Sequence, residues 1–577
     1  MSWHSGALAE RERGSLDYRL LPATLSGWIA SLATHLLFEH LTGDATSRTI
    51  PVVPLVLLLP LTILPGMLFL RFHGRLRAVA AAWHCSIIVC MFGALICASC
   101  ALTYDLTQYG DASFELASTD SPRVAASIRL TTPVTTSDSR TYDCQADCMI
   151  MDVMSDGIQQ NSSARARIYA DMPYCARLKQ GGTYSVSGKL SQSRYGARPL
   201  WLTDISGSEL IRAPNPAMKL VDMMQQAFFA QTSRLSDQGR ILVPGLTLGV
   251  LGQDYVPPAG GSAGKASNGV DATYAKQVEN AFRKSGILHL MAVSGGHLAV
   301  IAALVRTVCS FFLVPRRITA LLMSCAYVFL AICVYPSDSV SRALIMGLAS
   351  AICLFLGRRS QSLATLCWTT LAMLIIKPYM SQSFGFALSC AAVLGIVLFA
   401  SRIHVWLQPI MPEFIAESMS MTVAAQLFTL PIQVLIEPEL PVFSIPANLM
   451  VAPLVSFSTL AGLSSLYISW AMPTMGFLLA YAASWGTAVM EYVSRSLGTG
   501  DRATVAWSGG IQGALLICTI EAACAGCIYT IHHLYKRTTV RIIGMPGRKL
   551  IINPMERLRT WNERTMNDIN HMKWQDE

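Results

Sequence analysis

Apolar stretches that are long enough to cross a lipid bilayer recur along this chain, and they constrain its fold more than any other feature. Each is roughly 17–25 residues long, and about 20 apolar residues in a helix cover the hydrocarbon core. Because lipid offers the backbone no hydrogen-bond partners, such stretches fold as helices. The sequence therefore predicts a membrane α-helical bundle of about 12 transmembrane helices, near 20–41, 50–70, 78–101, 287–305, 318–335, 341–357, 363–377, 383–400, 416–437, 449–471, 475–494 and 508–531.

The composition supports the same class of protein. The chain is 52% hydrophobic and 14% charged, whereas soluble domains carry about a quarter charged residues, so a soluble enzyme is excluded. The net charge is +9, and the basic residues are grouped at span ends, where they orient the protein. This grouping, together with an apolar first stretch that lacks a cleavage signal, predicts a multi-pass bacterial membrane protein with both termini in the cytoplasm.

Residues 104–212 are a different kind of sequence. Short segments of alternating polar and apolar residues, such as RVAASIRL and TYSVSGKL, are separated by Gly, Pro, Ser and Asp. This pattern predicts a small β-barrel or sandwich, and the three preceding spans place it outside the membrane. In an oxidising compartment, one disulfide from Cys144 or Cys148 to Cys175 is expected. The C-x3-C spacing has no fourth ligand nearby, so no metal is predicted.

The segment 213–275 connects this domain to the remaining spans. Residues 216–236 have the pattern of an amphipathic helix, which lies either on the outer membrane surface or against the protein itself. Residues 240–252 are apolar but too short to cross, which favours a re-entrant or interfacial piece. The sequence GGSAGKAS at 260–267 lacks the residues of a phosphate-binding loop, so we predict no ATP site and no cofactor.

Polar residues inside apolar spans are functional candidates, because burying them in lipid costs several kcal/mol. Asp338 and Arg342 stand four residues apart, in the order that favours an ion pair on one helix face. Five prolines between 426 and 453 predict broken helices, which occur at membrane depth where they line a cavity. The candidates for an aqueous path are His289, His297, Asp338, Arg342, Gln426, Glu437, Asn448 and Glu521.

The segment HLMAVSGGHL at 289–298 has two interpretations. Ser294 and His297 share a helix face and could serve as nucleophile and base of an intramembrane hydrolase. Alternatively, Ser294, Gly295 and Gly296 let two helices approach closely, or let the backbone approach a ligand.

Several segments in a fixed order resemble the ComEC family of competence proteins, which carry DNA across the cell membrane during natural transformation. The resemblance covers roughly 240–500. Its segments are AFRKSGILHLMAVSGGHLAVI, SVSRALIMG, LGRRSQSLATL, SQSFGFALSCAAVLGI, AAQLFTLPIQV and FSIPANLMVAPLV. Many family members also have a C-terminal nuclease domain with an H-x-H-x-D-H cluster, and this sequence contains no such cluster.

The resemblance implies that the 104–212 domain is an OB-like barrel. Residues 122–201 contain ten Lys and Arg against six Asp and no Glu, with aromatic residues interleaved, as single-strand binding requires. The alternative is a solvated surface with tyrosines in the core. The implied DNA-binding residues are Arg123, Arg129, Arg165, Arg167, Lys189, Arg194, Arg198, Tyr169, Tyr195 and Trp201.

The resemblance also implies the function: a channel that passes single-stranded DNA into the cytoplasm, with no catalytic residues of its own. The expected partners are single-stranded DNA, membrane lipid, an extracytoplasmic DNA receptor, a cytoplasmic translocase and a separate nuclease. A small-molecule transporter remains an alternative. The expected path residues are His289, Ser294, Gly295, Gly296, His297, Asp338, Arg342, Gln426 and Asn448. The expected domains are 1–103 (transmembrane), 104–212 (barrel), 213–275 (connector), 276–531 (channel) and 532–577 (basic tail).

Overall fold

The computed structural model describes residues 17–43, 77–118, 122–138, 141–155, 157–193, 199–257, 270–500 and 502–543. Before and within the β-domain its helices are α1 (Leu21–Gly43), α2 (Arg77–Tyr109), α3 (Ala112–Ser118) and α4 (Met172–Cys175). The helices that follow are α5 (Pro216–Thr232), α6 (Asp237–Leu248), α7 (Ala272–Lys284), α8 (Gly295–Phe311), α9 (Arg316–Cys333), α10 (Asp338–Phe355), α11 (Ser362–Ile376), α12 (Phe384–Gly395), α13 (Ser401–Leu407), α14 (Glu413–Ile436), α15 (Ser444–Ile468), α16 (Pro473–Gly498) and α17 (Gly510–Ile543).

The chain is a helical membrane protein. In the described ranges, eight helical segments are long and apolar enough to cross a membrane, and α8 and α11 are shorter apolar helices. A π-helical turn, Ile396–Ala400, joins α12 to α13, and the two form one of the eight segments. The predicted span near 50–70 lies outside the described residues, so the total of about 12 spans stays a prediction.

The β-domain is a small closed barrel. Its strands are β1 (Arg123–Leu130), β2 (Thr135–Thr136), β3 (Cys144–Ser155), β4 (Ile158–Asn161), β5 (Arg165–Ala170), β6 (Thr183–Gln192) and β7 (Leu200–Arg212). The sheet runs β1-β6-β7-β5-β3, and β1 also pairs with β3, which closes the ring of five. The β5–β7 pair is parallel, and the other pairs of the ring are antiparallel.

Alternation of side chains along the strands forms the barrel core. In β1, residues Val124, Ala126, Ile128 and Leu130 are buried, as the period of two predicts. Cys144 of β3 is bonded to Cys175 at the end of α4, with Cα atoms 6.0 Å apart. Cys148, the other candidate for this bridge, is buried in the same core.

The third predicted span ends too early. We expected 78–101, but α2 continues to Tyr109, because Asp105 has a hydrogen-bond partner inside the protein. The His35 ring of α1 lies 2.7 Å from the Asp105 carboxylate and 3.2 Å from the Pro378 carbonyl oxygen. The pair holds α1, α2 and the turn at Pro378–Gln382 together.

The connector packs on the protein. Helix α5 buries Val221, Met224 and Phe228, and the side-chain amide of Gln225 donates to the Cys333 carbonyl at 2.7 Å. Helix α6 is too short to cross a membrane, and its residues from Ile241 to Leu248 are all buried. It therefore lies within the protein interior, which satisfies its backbone without contact with lipid.

The prediction that prolines break the 426–453 region repeatedly is wrong. Helix α14 continues through Pro431, and α15 continues through Pro453. The helices are interrupted once, between Ile436 and Ser444, where the short strand β8 (Glu439–Pro441) pairs with β9 (Thr504–Ala506). The FSIPANL segment begins α15. Residues from Ile511 onward, with most of α17, form a separate unit.

Candidate functional site

Three membrane helices begin with a serine cap. The N-cap residues of α8, α10 and α12 are Ser294, Ser337 and Ser383. Each hydroxyl accepts a backbone N–H of its own first turn, at 3.3, 3.3 and 3.2 Å respectively. A serine in this position satisfies one of the N–H groups that a helix start leaves unpaired.

Side-chain hydrogen bonds join the starts of α10 and α12, and Arg342 lies beside the start of α8. Asp338 of α10 accepts a hydrogen bond from the Ser383 hydroxyl, and Arg342 Nε donates to Ser389 Oγ of α12 at 2.8 Å. A Cβ placed on Gly295 of α8 would lie 3.8 Å from Arg342 Nη2. We call these starts, residues 294–297, 337–342 and 383–389, the three-helix junction.

Arg342 is the only arginine of the junction, and it is 4% exposed. Its Nη1 contacts the Met346 sulfur at 3.1 Å, and no carboxylate of the described residues lies within ion-pair distance of it. The predicted Asp338–Arg342 pair is therefore wrong. Ser383 satisfies Asp338, while Arg342, one turn further along α10, reaches across to α12.

His297 has a structural task that the sequence did not reveal. Its Nδ1 accepts the backbone N–H of Ser294 at 3.2 Å, and its Nε2 donates to the carbonyl of Leu246 in α6 at 2.8 Å. With both ring nitrogens engaged, the imidazole closes the cap of α8 and anchors α6. A general base must contact its nucleophile, and neither nitrogen of His297 is bonded to the Ser294 hydroxyl.

Three further path candidates, Gln426, Asn448 and His289, lie around the start of α15 and not in the junction. The Gln426 side-chain amide donates to the Ser444 hydroxyl, and Asn448 donates to the Ser444 carbonyl at 2.8 Å. His289 is exposed and contacts the Gly286 carbonyl at 3.1 Å. Gly286 has a φ of +75° and meets Ser444, so a side chain there would collide with it.

The junction lies at the end of the helices that faces the β-barrel. The turn Pro378–Gln382 precedes α12 directly, and the Arg165 guanidinium of β5 stacks over the Tyr379 ring of that turn at 4.1 Å. Because α8 and α10 start at the junction, their other ends are remote from the barrel. Basic residues gather near those other helix ends: Arg306, Arg316, Arg317, Arg358, Arg359 and Arg402.

The sequence did not single out several residues that organise this end of the bundle. Trp28 of α1 donates from its ring nitrogen to the Ser381 carbonyl at 3.0 Å and stacks on Phe386 of α12. The His35–Asp105 pair contacts the same turn. A histidine inside the first predicted span and an aspartate just past the end of the third were the available signal, because intramembrane ionisable residues usually have partners.

Part of the predicted DNA-binding set shares one outward face of the barrel. Arg123 of β1 is directly opposite Lys189 of β6, and both are exposed. Trp201 of β7 pairs with Ser191 of β6 and with Arg167 of β5. Because the strands are neighbours in the order β1-β6-β7-β5, these side chains form a continuous strip across four strands.

Other residues of the predicted DNA-binding set already have partners in the protein or lie elsewhere. Arg167 pairs with Asp147 at 2.9 Å and with Asp138 at 3.5 Å, Tyr169 is 6% exposed, and Arg165 contacts Tyr379. Arg129 lies at the opposite end of β1. The residues Arg194, Tyr195 and Arg198 lie outside the described residues.

Metal ligands are not grouped in the described ranges, where no three His, Cys, Asp or Glu side chains come together. A cavity of about 460 Å³ between the barrel and α5 is crossed by the Lys179–Asp222 ion pair, 2.9 Å long.

Residues 268–532, which include the junction, match the model of a family described as Competence protein. The matched range is less than half of the chain, and we refer to it as the competence-like region. The chain is also similar to ComE operon protein 3 of Bacillus subtilis (strain 168), with 24% identity over 186 residues. That alignment covers 32% of this chain and 23% of the relative, so the chain matches less than a quarter of the relative's length. No solved structure matches the chain. The resemblance to ComEC competence proteins is thereby confirmed.

Proposed function

We propose that this protein is the membrane channel through which single-stranded DNA enters the cytoplasm during competence. One observation carries the proposal. The competence-like region buries a guanidinium, Arg342, that no acid of the described residues neutralises, at the end of its helices that faces the barrel. A buried cation in a membrane domain is costly and marks a route for an anionic substrate.

A DNA strand has one negative charge per nucleotide, and such charges cannot be dehydrated in lipid. The strand must therefore travel through a polar conduit between helices. Conduction also requires binding that is weak enough to release. One arginine with serine-capped helix starts around it meets this requirement better than a dense basic lining does.

The barrel would receive the strand before it reaches the junction. Arg123 and Lys189 supply exposed cations, and Trp201 supplies an aromatic surface on the same strip. OB-like barrels bind single strands with this combination. Arg165 is the contact through which the barrel adjoins the turn before α12.

Orientation and partners complete the proposal. The arginines at the far ends of α8 to α13 would be cytoplasmic by the positive-inside rule, which puts the barrel outside and both termini in the cytoplasm of a bacterial cell. A cytoplasmic translocase would drive the strand, an extracytoplasmic receptor would deliver it, and a separate nuclease would remove the second strand. We assign this chain no catalytic step.

Two measurements test the function. The purified chain in liposomes should make an internalised, fluorescently labelled strand resistant to external nuclease, and a deletion strain should lose transformation by added DNA. Liposomes with a heat-denatured sample serve as the control. Normal transformation in the deletion strain, together with no strand entry into liposomes, would refute the proposal. Entry of small metabolites coupled to an ion gradient would instead favour a transporter.

A further inference from the structure

We propose that the three-helix junction is a binding site for a single phosphate group of the DNA backbone, held by Arg342 and the N-terminal end of α8. The identity of the ligand rests on the proposed function. The existence of an anion site rests on the geometry alone.

The first observation is the unused donor capacity of Arg342. The guanidinium has five N–H groups, and the described residues accept from Nε and Nη1 only. Nη2 is directed toward Gly295, 3.8 Å from the place that a Cβ on that residue would occupy. A guanidinium that is 4% exposed, with one nitrogen from which no described residue accepts and no described acid within ion-pair distance, is able to bind an anion.

The second observation is what Nη2 faces. Helix α8 has 17 residues, and its N-terminus has a partial positive charge together with unpaired N–H groups. The Ser294 hydroxyl takes the N–H of Gly296, and the N–H of Gly295 is one of those that a helix start leaves unpaired. A helix start and an arginine that converge are the usual components of a phosphate site.

Glycine at 295 keeps the space between the two donors open. Apart from its chain neighbours and its own helix backbone, no described residue comes closer than 3.8 Å to the position of a Cβ there, and Gly296 beside it is exposed. A side chain at 295 would project into the volume that a phosphate oxygen needs. The capping role of Ser294 does not require this glycine, so the open space has its own explanation in ligand access.

Asp338 limits how tightly the site binds an anion. Its carboxylate is bonded to Ser383 and lies 3.6 Å from the Cβ position of Gly385, on the α12 side of the junction. An anion beside Gly295 and Arg342 would therefore have a carboxylate one helix turn away along α10. This repulsion weakens binding, which suits a site that must release each phosphate to the next.

The site recognises a phosphate and not a base, since its donors are a guanidinium and a backbone N–H. Inorganic phosphate has the same chemistry, so the experiment must separate the two sources. A photo-reactive benzoylphenylalanine at the exposed Ala292, two residues before Ser294, detects strand binding at the junction by cross-linking. The full chain in lipid nanodiscs is titrated with a labelled 20-nucleotide strand, and the cross-linking yield gives an apparent affinity.

We expect Arg342→Ala to weaken this affinity about 10- to 100-fold, the range for charged hydrogen bonds, and to lower the slope of log affinity against log salt by about 0.7. Gly295→Ala should cause a comparable loss, Arg342→Lys a smaller one, and Asp338→Asn should tighten binding. A strand with uncharged methylphosphonate linkages should cross-link poorly. Arg359→Ala, which removes an exposed arginine near the far helix ends, is the matched control.

Unchanged cross-linking in Arg342→Ala and Gly295→Ala would overturn the site, even if strand transport into liposomes persists. If the Arg342→Ala variant does not insert into the membrane, unchanged strand binding in both Arg342→Lys and Asp338→Asn would overturn the proposed site equally. Competition by inorganic phosphate without any strand cross-linking would assign the site to free phosphate and refute the nucleic-acid ligand. Cross-linking without transport would leave the site standing and refute the proposed channel.

Discussion

Removal of the Cys144–Cys175 bridge should destabilise the barrel by an amount that follows from the chain. The bridge closes a loop with a sequence separation of 31 residues. Loop-closure entropy for this length corresponds to about 3.5–4 kcal/mol at 25 °C. Because 1.4 kcal/mol is a factor of ten, the unfolding constant of the barrel should rise roughly 500-fold.

The measurement is pulse proteolysis of the full chain in nanodiscs at increasing urea, with cleavage inside the barrel as the signal. For an m-value of about 1.5 kcal/mol/M, the urea midpoint of a Cys144→Ala/Cys175→Ala variant should fall by about 2.5 M. The same fall should follow when the parent protein is reduced. Cys325→Ala, which removes an exposed thiol of α9, should not move the midpoint.

Equal midpoints for the bridged and bridge-free proteins would refute this reasoning. That result would mean that the buried core, with Val186, Leu190 and Leu202 at its centre, determines barrel stability alone. It would also mean that the unfolded chain is already so compact between 144 and 175 that the bridge restricts it little.

Three further predictions concern the ends of the barrel. Burial raises the pKa of Asp254, which accepts a hydrogen bond from Thr136 of β2 at 3.0 Å, to about 6. Packing of the barrel against the Asp254 segment, measured by protease access, should therefore be strongest below pH 4, weaken as the pH rises to 6 and then level off. Asp254→Asn should abolish this pH dependence. Arg165→Ala should remove the contact with Tyr379 and increase barrel release, measured by cross-linking, by about two- to thirtyfold, with Arg165→Lys intermediate. Lys189→Ala should weaken strand binding by the full chain and reduce its salt dependence, measured by anisotropy.

Hydropathy located eight helices of membrane-spanning length among the described residues, but not their ends. The end of α2 was misplaced because Asp105 looks like a terminator, and its partner His35 is 70 residues away in the sequence. The effect of Pro431 and Pro453 was also misjudged. A proline removes one helical hydrogen bond, and whether neighbouring helices compensate for this loss is a property of tertiary packing.

Alternation predicted the barrel, since its period of two is a local signal. Closure of the ring through the β1–β3 pair is not local, and the sequence left barrel and sandwich open. Arg165 and Arg167 occupy equivalent outward positions in β5. Only the structure distinguishes the first, which contacts Tyr379, from the second, which Asp147 and Asp138 neutralise.

The serine caps of α8, α10 and α12 could have been found from sequence, because Ser precedes each apolar helix. Their convergence could not. The i,i+4 spacing of Asp338 and Arg342 suggested a pair within one helix, whereas each residue has its partner on α12. Spacing reports which groups share a face, and competing partners on neighbouring helices decide which bond forms.

The position of Arg342 is best understood as a cost to stability. The starts of α8, α10 and α12 each contribute a partial positive charge, so a guanidinium among them is repelled as well as desolvated. Asp338, engaged with Ser383, offsets this only in part. A hydrophobic residue of similar length would satisfy the packing without either penalty. The fold therefore tolerates a buried positive charge at Arg342 that no acid in the described part of the chain neutralises. An anion bound beside Gly295 neutralises this charge, and the charge is unneutralised again when the anion leaves.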